Sequence, residues 1–93
     1  MTVRSSRIKI EYRKLGREKA LGYTDSTDVV VDSRLKGKKQ LEIILHECLH
    51  YLYPEASEEE VITKSVKLTK TLWYEGYRKI DNHDKDPLQD GTL

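Results

Sequence analysis

Two histidines four residues apart, His46 and His50, sit in a segment whose apolar residues recur at 41, 44, 45, 48, 49 and 52. That recurrence is the period of one helical face. It predicts a helix from about Lys38 to Tyr53, separated by Gly37 from what precedes it. Pro54 must end it, because the proline ring clashes with a continuing helix. Positions four apart on a helix are offset by about 40° around its axis, so both imidazoles leave the same side. The apolar stripe beside them needs a cover, and the rest of the chain has to supply it.

Upstream, Ile8, Ile10 and Tyr12 alternate with polar residues between Arg7 and Arg13, the pattern of a half-buried strand. Gly16 to Gly22 reads as a connection leading to a short strand at Tyr23. Asp25-Ser26-Thr27-Asp28 has the composition of a turn. Val29-Val30-Val31 is the most β-prone run of the chain and predicts a second clear strand ending near Asp32. Downstream, Ser57-x-x-Glu60 is a capping box that opens another helix. Val61, Ser65, Leu68 and Leu72 form one stripe of it, with Ile62, Val66, Thr69 and Trp73 beside them, and Gly76 is a plausible stop. The outline is α+β: a small antiparallel β-sheet of two or three strands, built as a meander or hairpin, then two helices. Residues 1–80 form the single domain, and 81–93 read as an acidic, flexible tail.

Ninety-three residues allow one modest core. The chain has no Phe, so six Tyr and one Trp must supply its aromatic packing. A bound metal would help hold so small a core together. Cys48 is the lone cysteine and suits a reducing compartment. The N-terminal basic residues are not followed by an apolar stretch, so no secretory signal is expected. No apolar run approaches the ~20 residues of a bilayer crossing. A cytoplasmic protein without membrane partners is the expectation. The net charge of +1 is unevenly spread. Residues 1–20 hold seven Lys or Arg against two Glu, and residues 81–93 hold four Asp against one Lys. The alternating basic strand reads as a solvated face, so nucleic acid is not the expected partner.

His46-Glu47-Cys48-Leu49-His50 matches H-E-x-x-H. The spacing lets both imidazoles reach one tetrahedral Zn²⁺ at roughly 2.0–2.1 Å. Glu47 would project beside the metal, near a bound water, and serve as general base. This arrangement is that of a zinc metallopeptidase acting on a peptide or protein substrate. A shuffled chain of this composition would contain it on the order of once in a hundred.

The segment from Val29 to Trp73 resembles the core of the zincin superfamily of metallopeptidases: an edge strand, a helix bearing His-Glu-x-x-His, then a second helix. It is most similar to compact gluzincin-like metallopeptidases of phages and bacteria, and more distantly to the ImmA/IrrE-type peptidases. The residues that carry the likeness are Leu45 to His50, and then Pro54-Glu55-Ala56-Ser57-Glu58-Glu59-Glu60-Val61. The resemblance implies a third metal ligand from a Glu on the second helix, and a home in a bacterial or phage-infected cell. Three acids compete for that place. Glu60 belongs to the capping box, Glu58 shares the stripe of Val61 and Ser65, and Glu59 lies on the neighbouring stripe. Glu58 is the expected ligand and Glu59 its alternative. The likeness also implies that Val29, Val30 and Val31 form the strand along which an extended substrate pairs its main chain. The longer three-histidine motif of other zincins is absent: nothing after His50 continues it, and His83 is the remaining histidine.

Other residues have weaker claims. Cys48 points away from the metal and reads as a small core residue. Tyr51, Tyr53, Tyr74 and Tyr77 are candidates to donate to a developing oxyanion. Asp32 is a candidate to orient a metal-bound imidazole. Two other functions compete with hydrolysis: a zinc-binding regulatory or virion-associated module with little turnover, and nucleic-acid contact through the basic N-terminal strand.

Overall fold

A computed structural model describes residues 7–16 and 21–80. Three strands, β1 (Ile10–Arg13), β2 (Gly22–Thr24) and β3 (Val29–Asp32), precede two helices, α1 (Gly37–Leu52) and α2 (Glu58–Tyr74). The class is the α+β expected, with both helices within a residue or so of their sequence-based bounds. The acidic stretch 81–93, His83 included, lies outside the described residues.

The sheet differs from the antiparallel one anticipated. Its order is β1-β3-β2, with β1 parallel to β3 and β2 antiparallel to it. The reason lies in Val29-Val30-Val31. Three consecutive valines cannot be half-buried by alternation; such a run suits a strand covered on both faces, the usual place of a central strand. All three are 1% exposed or less. β2 reaches β3 through a tight turn in which the Asp25 carboxylate accepts from the backbone N–H groups of Thr27 (2.9 Å) and Asp28 (2.7 Å). β1 takes the opposite edge.

Register assigns the two faces. Gly22 pairs with Val31 and Thr24 with Val29, while Ile10 and Tyr12 sit beside the same two valines. These residues share the face toward α1. On the other face the Arg13 guanidinium donates to the Tyr23 hydroxyl (2.7 Å), crossing β3 at Val30.

Helix α1 lies close on the sheet at Gly22. A Cβ there would come 2.8 Å from the Val30 carbonyl oxygen, 2.9 Å from Ile43 Cγ2 and 3.2 Å from Glu47 Cγ. Tyr53, which donates its N–H to the Leu49 carbonyl (2.8 Å), caps the helix before Pro54 turns the chain. The Ser57 hydroxyl then accepts from the Glu60 N–H (3.1 Å) as the capping box requires. The Glu60 carboxylate instead pairs with Lys64 at 2.8 Å.

The buried line of α2 is Val61, Ser65 and Thr69, each 2% exposed or less, whereas Leu68 of the anticipated stripe is 43% exposed. Small residues along this line let α2 approach α1 closely. Their hydroxyls are satisfied within the helix: Thr69 donates to the Ser65 carbonyl (2.6 Å) and Ser65 to that of Ile62 (3.2 Å). Gly76, at φ +95°, ends α2 in a Schellman arrangement, with Tyr77 N–H on the Leu72 carbonyl and its own N–H on that of Trp73. No helix among the described residues is long and apolar enough to cross a membrane.

At the end of β3, Asp32 is 3% exposed and tied to Arg34. Its two oxygens accept from Arg34 Nε (2.9 Å) and Nη2 (2.7 Å), from the Arg34 backbone N–H (2.9 Å), and more distantly from that of Leu15 (3.4 Å). Asp32 therefore fastens the strand end to the Leu15 segment and does not orient a histidine. Its hydrogen bonds, those from the Arg34 side chain foremost, hold the carboxyl well below the ordinary carboxylate range.

Two consequences can be measured. Gly22→Ala should cost about 1–3 kcal/mol in denaturant unfolding, because the neighbours of the added methyl include a backbone oxygen that cannot give way. For Asp32, a depressed folded value contributes stability that is complete above the unfolded value of about 4 and is lost as pH falls through the folded one. Asp32→Asn should thus melt below the parent protein by a steady margin between about pH 5 and pH 8, and the margin should narrow below about pH 4.

Candidate metal centre

His46 and His50 occupy one side of the second half of α1, as their spacing requires. Their ring centroids are 4.9 Å apart, with an interplanar angle of 69°. Both side chains are mostly buried, at 16% and 25% exposure. The turn through Pro54 then doubles the chain back, so the first residue of α2 comes beside them.

That residue is Glu58, on the same face as Val61 and Ser65 and one turn nearer the N-terminus. Its Oε1 lies 2.8 Å from His50 Nε2, and its Oε2 lies 3.2 Å from His46 Nε2. One donor atom from each of the three residues lies within 4.8 Å of the others. Glu58 projects into solvent, with a side chain 63% exposed. Exposed ion pairs of this kind contribute little to stability. Packing alone therefore gives little reason for two histidines to converge on one carboxylate.

The donor set fits a metal ion. Ligands at roughly 2.0–2.2 Å from a tetrahedral centre lie roughly 3.3–3.5 Å from one another. The two observed nitrogen–oxygen separations, 2.8 and 3.2 Å, are within about half an ångström of that spacing. The group could thus close on an ion with side-chain adjustments alone. Glu59, the alternative third ligand, is not in the group: it borders a shallow hollow with Ser57, Glu60, Thr63 and Lys64.

Glu47 follows His46 but turns toward the sheet, and is 8% exposed. The hydroxyl of Thr24, on β2, contacts both its carboxylate Oε1 (2.7 Å) and its backbone oxygen (3.0 Å). A hydroxyl has one proton, and the shorter contact is the one to the side-chain oxygen. Oε1 is engaged in this way, and Oε2 has no hydrogen-bond partner among the described residues. Thr24 was not singled out in the sequence. The only available signal was the alternation of Gly22 and Thr24 in a three-residue strand, and it takes the β2–β3 register to bring that face onto Glu47.

The remaining candidates separate from this centre. Val29, Val30 and Val31 cannot pair with a substrate main chain, because β3 is already paired along both edges. The expected edge strand is the central strand of the sheet. Cys48 is half-buried, and its thiol is pushed up, by burial first and by Glu47 second. It is not in the group of His46, His50 and Glu58. Tyr74 is 86% exposed. Tyr53 lines a groove at the α1–α2 turn and Tyr77 a hollow at the start of α1; none of His46, Glu47, His50 and Glu58 lines either one. Tyr51 is half-buried on α1. Compared with known proteins, the chain matches no family model, no curated protein and no solved structure, so the centre stands on its own geometry.

Proposed function

We propose that this chain is a zinc-dependent metallopeptidase, with His46, His50 and Glu58 as metal ligands and Glu47 as general base. The observation that carries the reading is the convergence of two imidazole nitrogens on the two oxygens of Glu58, with a buried acid next in sequence to one of the histidines. Two imidazoles and one carboxylate are a ligand set suited to zinc, and three protein ligands leave a position open, as catalytic sites do. A bound zinc would supply Lewis-acid chemistry, polarising a carbonyl and acidifying a water.

The chain's own residues supply the rest. Thr24 holds Glu47 Oε1, which fixes the carboxylate's rotation and turns Oε2 to proton transfer. Oε2 takes a proton from the attacking water and gives it to the departing amine nitrogen. β2 pairs only with β3 among the described residues. Its outer edge offers the main chain of Gly22–Thr24 to an extended peptide, beside Glu47. That supports a peptide as the substrate class. The single, half-buried Cys48 is compatible with a cytoplasmic setting.

Purified under metal-replete conditions, the protein should hold about one zinc per chain. Glu47→Ala should retain that zinc while peptide cleavage falls by roughly 10²–10⁴-fold. Absence of zinc from the parent protein would sink the proposal. Zinc without cleavage of any peptide library would leave a metal-binding module instead. Glu58→Ala should weaken zinc retention far more than Glu59→Ala, as read by competition with a chelator. Stripping the metal should lower the melting temperature of the parent protein, since a ligand bound only by the folded state stabilises it.

A further inference from the structure

At the opposite end of α1 from the histidines lies a second hollow, of about 360 Å³. That is within the usual range of small-molecule sites. Its apolar floor is Leu41 and Ile44 of α1, with Trp73 of α2 and Tyr12 of β1 beside them. Three cations stand around it, Lys36, Arg78 and Lys79, and no carboxylate among the described residues lines it.

Among the described residues these cations are held in place but not neutralised. The Arg78 guanidinium carbon sits 3.5 Å from the centroid of the Trp73 ring, and Lys79 Nζ sits 4.7 Å from that of Tyr12. Arg78 Nη1 donates to the carbonyls of Trp73 and Tyr77 (3.0 Å each), which leaves Nε and Nη2 for another acceptor. None of the three is in an ion pair among the described residues. The start of α1 adds to the positive potential, for Lys36 provides no side-chain cap and the first turn has no acid.

Gln40 supplies an independent sign. It lines the same hollow and is 7% exposed. Its Nε2 donates to the Leu35 carbonyl (3.1 Å), but its Oε1 accepts from no group among the described residues. An acceptor of a mostly buried side chain that borders a hollow is available to a ligand's donor.

From these features we infer a binding site for a phosphomonoester that carries a planar ring with an N–H or O–H donor, the chemistry of a nucleotide. Three unpaired cations exceed what one carboxylate needs and match a phosphate of about −1.5 to −2 charge. The ring lies over Leu41 and Ile44, and its donor meets Gln40 Oε1. This site is separate from the metal centre and does not rest on the peptidase reading.

Trp73 is the chain's only tryptophan, so its fluorescence reports on this hollow alone. Titration of the full chain with adenosine monophosphate should change Trp73 emission saturably. Inorganic phosphate and adenosine should each bind at least about tenfold more weakly, since each offers only part of the recognised chemistry. Lys36→Glu, an exposed position, should weaken adenosine monophosphate by at least about tenfold while the thermal melt stays unchanged. A 5′-phosphorylated tetra-adenylate that binds more tightly than the mononucleotide would identify a strand end as the source of the phosphate. Equal or weaker binding would identify the free nucleotide. The inference is overturned if neither nucleotide probe gives a saturable response, if adenosine or phosphate alone matches the mononucleotide, or if Lys36→Glu leaves its affinity intact.

Discussion

The close approach of α1 to the sheet at Gly22 is the contact on which the rest of this molecule depends. A side chain there would strike the Val30 carbonyl, Ile43 and Glu47 together. Its absence lets the helix settle directly over β2 and β3, covering Val29 and Val31. A core this small has few large side chains to lose: its fully buried members are four valines, a serine and a threonine. Backbone proximity does the work that bulk does in larger domains, and one added methyl group is felt across the interface.

The same proximity governs the chemistry. Because β2 lies against α1, the Thr24 hydroxyl reaches Glu47 and gives this buried side chain a hydrogen-bond donor. On the other flank, the line of Val61, Ser65 and Thr69 brings α2 in by the same means, small side chains, and puts Glu58 against both histidines. The two flanks act on successive residues of one helix turn. Glu47 faces the sheet and His46 faces α2, so the buried acid and the His46–His50–Glu58 group are held by different neighbours. A disturbance of one need not displace the other.

Helix α1 also separates two environments. Its first turn has no acid and lies among unpaired cations, while its last turns carry the histidines and Glu47. The division follows the helix dipole only at the first end, where positive potential gathers. At the second end the local chemistry of the histidines and their carboxylate prevails.

Much of this was legible in the residues themselves. The spacing of His46 and His50 put them on one side of a helix whatever the fold, because helical geometry is local. Pro54, the Ser57 capping box and Gly76 marked helix ends for reasons confined to a few residues. Even Glu58 was within reach, since its offset from Val61 and Ser65 is helical arithmetic. What pairs with what was not legible. The sequence contained the run Val29-Val30-Val31, but whether a strand is central or at an edge depends on which distant segments pair with it. The parallel β1 and antiparallel β2 decided that, and with it put the sheet edges of the described residues on β1 and β2 instead of β3. Thr24 and Asp32 show the same division. Each is a polar residue with several possible partners: Thr24 meets Glu47 through register and packing 23 residues apart, whereas Asp32 takes Arg34 two residues on and Leu15 across the fold. By itself the sequence determined the helices, their ends and the side of α1 that bears the histidines, since those follow from contacts within a turn or two. Tertiary structure alone decided the order of the strands, the grip of Thr24 on Glu47 and the ring of unpaired cations at the start of α1, since each joins residues that only the fold makes neighbours.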